Sequence, residues 1–369
     1  MNDQTAFIPG LELSRRFYQE AVRPLLQAYY PNLHHAAALI GPGSEVLGFD
    51  TPMSTDHCWG PRLLLFLGDL DWPAVREAVH ETLARHLPPQ FLGYSTHFSE
   101  PDPQDHGTQL PQIPQPGEPL NHRVEIHTLR GFCLDLLGWD MDTPLTAADW
   151  LTFPQQKLLS ITAGAVFWDE VGLEELRGRL AYYPQDVWLY LLAAGWARIG
   201  QEEHLTGRAG FAGDELGSWL IAARLVRDCM RLAFLMERVY MPYPKWFGSA
   251  FARLGCAAEL APHLQGVLSA PAWQEREPHL CAAFECLARQ HNRLGLTEPL
   301  DEQVRRFFGR PFRILGAERF STALLAQIRD PEMQQIAAHP PIGSIDLFSD
   351  NTDLLEPTEW GEKLRRLFL

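Results

Sequence analysis

Gly43-Ser44-Glu45-Val46-Leu47-Gly48-Phe49-Asp50-Thr51-Pro52-Met53-Ser54-Thr55-Asp56-His57-Cys58-Trp59-Gly60-Pro61-Arg62 is the stretch on which the reading of this chain turns. Its glycine–serine pair can present backbone N–H groups and a hydroxyl to phosphate oxygens, because glycine lets the chain approach closely. On its own the pair is equally a simple turn. Twelve residues after Ser44 comes an acid, Asp56, near the entrance to the apolar run Leu63-Leu64-Leu65-Phe66-Leu67, which reads as a buried strand ending at Gly68-Asp69.

Working outward, Leu13, Phe17, Val22, Leu25, Leu26 and Tyr29 fall near helical spacing and predict a helix from Pro9 to Tyr30, closed by Pro31-Asn32. Gly43–Arg62 is then read as joining a helix to a strand. Pro73 opens another helix, with Val75, Val79, Leu83 and Leu87 at spacing four. Residues 101–119 hold six prolines among Asp, Gln and Gly and predict an extended, poorly ordered loop. Arg123-Val124-Glu125-Ile126-His127-Thr128-Leu129 alternates polar and apolar residues and predicts a strand.

Beyond Trp150 the strand patterns are expected to stop, and helices are read at Pro184–Ile199, Asp214–Tyr240 and Pro278–Leu294. On the second of these, Leu216, Trp219, Leu220, Ala223, Val226, Met230, Ala233 and Phe234 suggest a buried stripe. The expected fold is α+β: an α/β domain over residues 1–150, with a mixed sheet and flanking helices, then a helical domain over 151–369. The tail after Pro340 reads as a docked extension.

The formal charge of −15 offers no general footprint for a polyphosphate backbone, so nucleic acid is an unexpected partner unless a local basic groove exists. Met1–Thr5 shows no signal-peptide pattern and no apolar run approaches bilayer length, so a cytoplasmic protein without a membrane partner is expected. The six cysteines are scattered without a C-x-x-C pair, and most read as small buried hydrophobes.

The arrangement of Gly43-Ser44, a short loop with Gly48-Phe49, and then an acid at a strand entrance resembles the DNA polymerase β-like nucleotidyltransferase superfamily. The chain more nearly resembles one subgroup, a bacterial branch of unknown function carrying Asp-His-x-Trp-Gly-Pro-Arg, here Asp56-His57-Cys58-Trp59-Gly60-Pro61-Arg62. Arg130-Gly131-Phe132, Leu151-Thr152-Phe153-Pro154-Gln155-Gln156 and Tyr243-Pro244-Lys245-Trp246 extend the likeness to about residues 40–255.

The resemblance implies two carboxylates at i and i+2 on one strand face and a third on a neighbouring strand, together holding magnesium against a nucleoside triphosphate, ATP first among candidates. Carried over, the first is Asp56, the third Glu125, and the second position holds Cys58, a thiol that binds magnesium poorly. Gly43 and Ser44 would hold phosphate. Arg62 would clamp it or form a structural salt bridge.

In the helical half, Arg224, Arg227, Arg231 and Arg238 could meet a triphosphate or form a solvated face beside Asp228 and Glu237. The resemblance makes Lys245 a candidate for phosphate contact or base; the alternative is a solvated lysine. Glu202-Glu203-His204 could supply a general base or be an ordinary helix run. The implied activity is transfer of a nucleoside monophosphate to an unknown acceptor. The rival reading is a weakened or inactive nucleotide-binding or regulatory module, because Cys58 replaces a carboxylate; Asp50 and Glu45 are the nearest acids that could compensate.

Overall fold

The computed structural model describes residues 7–369, and the Met1–Thr5 segment read above lies outside them. The architecture is α+β: a four-stranded mixed sheet with flanking helices, and a region built almost wholly of helices. The chain divides into two compact units, each broken in sequence. One holds the residues up to Pro144 with Lys157–Ala181, and the other holds Leu145–Gln156 with Tyr182–Leu369.

The sheet of the first unit is formed by β1 (His35–Leu39), β2 (Arg62–Leu67), β3 (Arg123–His127) and β4 (Ala165–Asp169), in the order β3-β2-β1-β4. β1 runs antiparallel to both β2 and β4, while β2 and β3 are parallel. Two expectations are corrected here. The alanine-rich run before Gly41 is a strand, so Gly43–Arg62 joins strand to strand, because pairing on both edges overrides alanine's helical preference. A strand also follows Trp150: in Ala165-Val166-Phe167-Trp168-Asp169 the apolar run is only four residues long, a pattern whose periodicity does not separate strand from helix.

One face of the sheet, with Ala37, Leu63, Leu65, Leu67, Val124 and Ile126, packs against Leu13, Phe17, Val22 and Leu26 and against Val79 and Leu83 of the helix Trp72–His86. The N-terminal helix is continuous from Gly10 to Tyr29 but widens into a π segment at Tyr18–Val22. The proline-rich loop is more structured than its composition suggests. Pro111–Gln112 pairs with His97–Phe98, and Asp102 bridges Thr108.

In the second unit the long helices lie at Gln185–Glu202, Glu215–Met236 and Trp273–Arg293, close to the sequence reading. Of the stripe expected on the second of them, Val226, Ala233 and Phe234 are buried, but its N-terminal part is displaced. Leu216, Trp219 and Leu220 are exposed, and the buried line runs through Ser218, Ala222, Leu225, Cys229, Leu232 and Met236 at alternating spacings of four and three. Small and polar side chains on that line allow close helix packing, which a hydrophobicity pattern does not register. The tail is docked in this unit by Ile345, which is buried, and by Asp346, whose Oδ2 accepts from the Gln155 N–H at 3.0 Å. Among the described residues no helix is long and apolar enough to cross a membrane.

Candidate functional site

Gly43–Arg62 is a loop folded onto its own ends. The Phe49 N–H donates to Ser44 O at 2.8 Å and the Gly48 N–H to Glu45 O at 3.2 Å, closing a turn behind Gly43. Arg62 is buried at the start of β2. Its Nε donates to Glu45 Oε1 at 2.8 Å and its Nη2 to Pro42 O at 2.7 Å, so the guanidinium braces the loop in a structural salt bridge. Gly43 has φ +145°, and a Cβ there would stand 2.6 Å from Arg62 Nη2. The N–H groups of Gly43 and Ser44 have no hydrogen-bond partner among the described residues.

The other acids near the loop are also engaged. Asp50 Oδ2 accepts from the Gly10 N–H at 2.6 Å and the Trp59 Nε1–H at 3.1 Å. Neither it nor Glu45 stands free to replace a missing carboxylate.

The expectation that Asp56 and Cys58 share a strand face is corrected. Pro52–Asp56 is a 3-10 turn capped by Thr51, β2 begins only at Arg62, and Cys58 has φ +49°. Pro52 and Pro61 bracket the segment; each lacks the N–H that a central strand needs, and the i, i+2 rule fails with the strand. The Asp56 side chain is exposed and pairs with His57 Nδ1 at 2.8 Å. Cys58 is tied to the proline-rich loop: its N–H donates to Gln109 O at 2.9 Å, and its Sγ accepts from the Gln109 N–H at 3.4 Å.

Glu125 does lie on a strand beside β2, opposite Leu64. It stands 3.9 Å from Arg123 Nη2 and 3.6 Å from His127 Nε2. Its side chain is 48% exposed; partial desolvation by its surroundings works against ionisation, but His127, Arg62 and Arg123 outweigh it and hold the carboxyl below its usual pKa. Beside it, Arg76, His80, His122, Glu125 and His127 border a hollow of ≈ 260 Å³ at the sheet edge.

The residue that sequence reasoning missed is Arg123. It sits opposite Arg62 in the parallel register, its side chain is 11% exposed, and its buried Nε and Nη1 have no hydrogen-bond partner. Burial, then the Arg62 charge, lowers its pKa. A desolvated guanidinium with unmet donors, next to a second cation, is a place where an anion would be stabilised. The available signal was an arginine at the first position of a strand, where the side chain stands at the sheet's end.

Asp56, Cys58 and Glu125 do not assemble a magnesium site as placed. Among the described residues no three His, Cys, Asp or Glu side chains come together as a metal-ligand set.

The remaining candidates belong to the second unit. Arg227 pairs with Asp350 at 2.7 Å and Arg224 with Glu202 at 2.9 Å, while Arg238 donates to Gln185 and lies over the Trp188 ring at 3.9 Å. Arg231 does stand 3.8 Å from Asp228, whereas the other three have partners other than Asp228 and Glu237. Lys245 is exposed on the first turn of the helix Pro244–Phe251, with its Nζ 4.9 Å from the Trp246 ring. Glu203 accepts from the N–H groups of Leu315, Gly316 and Ala317, and Glu202 binds Arg198 and Arg224. Both carboxylates are thus occupied and do not serve His204 as a base pair.

Residues 150–247 match a family described as a domain of unknown function (DUF4037). Among curated proteins no match is found. Among solved structures, the chain is similar to a nucleotidyltransferase-like protein from Exiguobacterium sibiricum at 12% identity and a TM-score of 0.32, over 74% of this chain and 75% of that one.

Proposed function

We propose that the first unit binds a nucleoside triphosphate, ATP first among the candidates, in the manner of a nucleotidyltransferase, as donor of a nucleoside monophosphate to an unidentified hydroxyl or amine. The observation that carries this reading is Arg123, whose buried guanidinium has unmet donors beside Arg62 at the head of the two parallel strands. The unpartnered N–H groups of Gly43 and Ser44 are further donors for phosphate oxygens. Transfer would join the acceptor oxygen or nitrogen to the α-phosphorus and release pyrophosphate. Because Asp56 and Glu125 do not share a ligand set as placed, no step is assigned to magnesium.

A second reading, binding without transfer, is favoured by Cys58, which stands off the strand and is bound to Gln109. Calorimetric titration with ATP, GTP, CTP and UTP, with and without magnesium, tests binding on the wild type, Asp56→Ala and Arg123→Met. Losing one charge-assisted contact, about 1.5–3 kcal/mol, would weaken binding roughly 10–150-fold in Arg123→Met. Absence of binding for every nucleotide would sink both readings. Pyrophosphate release above a protein-free control separates transfer from binding alone.

A further inference from the structure

Between 305 and 313 the second unit carries Arg305-Arg306-Phe307-Phe308-Gly309-Arg310-Pro311-Phe312-Arg313: four arginines, three phenylalanines and no acid in a chain of net charge −15. The segment is a hairpin in which Arg305–Arg306 pairs with Arg313–Ile314. Phe312 anchors it, buried against Trp273 at 5.8 Å and Phe211 at 5.7 Å. The tip turns outward: Phe308 is 81% exposed, and Arg305, Arg306, Arg310 and Arg313 are exposed and in no ion pair among the described residues.

Two features are unfavourable for the hairpin alone. Arg306 and Arg313 stand directly opposite each other, and like charges in that position repel. Phe308 keeps φ +54° while its ring faces water. An anion bridging the two guanidinium groups would relieve the first, and a flat partner on the ring would cover the second.

The rings form a graded platform. Phe307 packs on His204 at 4.7 Å and Phe308 on Phe307 at 4.8 Å, and the Arg310 Cζ stands 5.6 Å from the Phe307 ring. Burial, then the charges of Arg208 and Arg310, holds His204 below its usual pKa.

From this arrangement we infer that the 305–313 hairpin is a docking surface for single-stranded nucleic acid, with bases stacking on Phe308 and phosphates bridging Arg306, Arg310 and Arg313. The exposed Phe308 ring offers a base a stacking face, the exposed guanidinium groups around it offer charge to the neighbouring phosphates, and single strands present unstacked bases. A lipid surface fits less well, because one exposed ring gives little apolar burial. The low overall charge average conceals this patch, which is the local basic surface that a nucleic-acid partner requires. The inference is independent of nucleotide binding by the first unit.

Fluorescence anisotropy of labelled single-stranded RNA and DNA 20-mers, a duplex of the same sequence, and co-sedimentation with phosphatidylserine vesicles provide the test. The full chain is compared with Phe308→Ala and with the triple variant Arg306→Gln/Arg310→Gln/Arg313→Gln, each checked for folding by circular dichroism. Single strands are expected to bind more tightly than the duplex, with a log K against log salt slope of roughly −2 for three phosphate contacts. Phe308→Ala is expected to weaken binding roughly tenfold, and the triple variant to lose binding and flatten the salt slope. No binding at low salt, unchanged binding by either folded variant, equal duplex binding, or vesicle binding in place of oligonucleotide binding would overturn the inference.

Discussion

Arg62 Nε and Glu45 Oε1 meet at 2.8 Å with side chains 5% and 4% exposed, a buried ion pair that joins the start of β2 to the loop after β1. Removing one member leaves the other charge buried without its partner, which costs about 3–5 kcal/mol. Glu45→Gln should therefore lower the urea midpoint sharply, while Arg62→Met/Glu45→Leu should lose less than the two single changes summed. Additive losses would show that the charges do not act as a pair.

Gly43 lies against this pair, and its φ of +145° disfavours any side chain. Gly43→Ala should cost more than about 2 kcal/mol, because strain and collision with Arg62 combine. Gly117→Ala is the comparison: φ is +82°, but nothing lies within 4 Å of the added Cβ, so strain alone of about 1 kcal/mol is expected. Thermal or urea unfolding of both variants distinguishes collision from strain.

His122 and His291 are buried in different units, and burial lowers each from 6.5 to about 4. The unfolded chain takes up these protons first, so stability is present above pH 6.5 and is lost as pH falls toward 4. A shift of about 2.5 units corresponds to about 3 kcal/mol for each histidine. Melting temperatures should fall across that window, and His122→Gln should flatten part of the fall.

Asp346 acts with the opposite sign. Burial raises its pKa from 3.8 to about 6, against the hydrogen bond from Gln155 and the charge of Arg231. The folded state holds this proton more tightly than the unfolded chain, so its contribution is lost as pH rises from 3.8 through 6. Asp346→Asn keeps an acceptor for the Gln155 N–H; at pH 7.5 it should be stabilised by up to about 3 kcal/mol. A melt series from pH 4 to 7.5 checks this, and a less stable variant at pH 7.5 would contradict it.

The legible parts of the fold were those with a clean period. β2 and β3 and the long helices near residues 185–202, 215–236 and 273–293 follow from apolar spacing, because one face of each must leave water. β1 and β4 were not legible, since their strand state comes from pairing: β1 with both β2 and β4, and β4 with β1. At the candidate site, Glu125 could be placed on its strand from alternation alone. Asp56 and Cys58 could not, because Thr51 capping and the link from Cys58 to Gln109 hold that segment off the sheet. Arg123 was hidden for a different reason: an unmet donor is a property of the surroundings, and a sequence pattern records only the residue.

The position of β4 in the chain also bears on how the protein is made. The sheet of the first unit takes its edge strand from Ala165–Asp169, after the chain has passed through Leu145–Gln156 of the other unit. During synthesis that sheet stays incomplete, with β1 offering an uncovered edge, until about residue 170 has left the ribosome. A nascent or truncated chain ending near residue 150 would carry that edge as a template for pairing between molecules, so expression of the first 150 residues alone is expected to give aggregates where residues 1–181 include the strand that closes it.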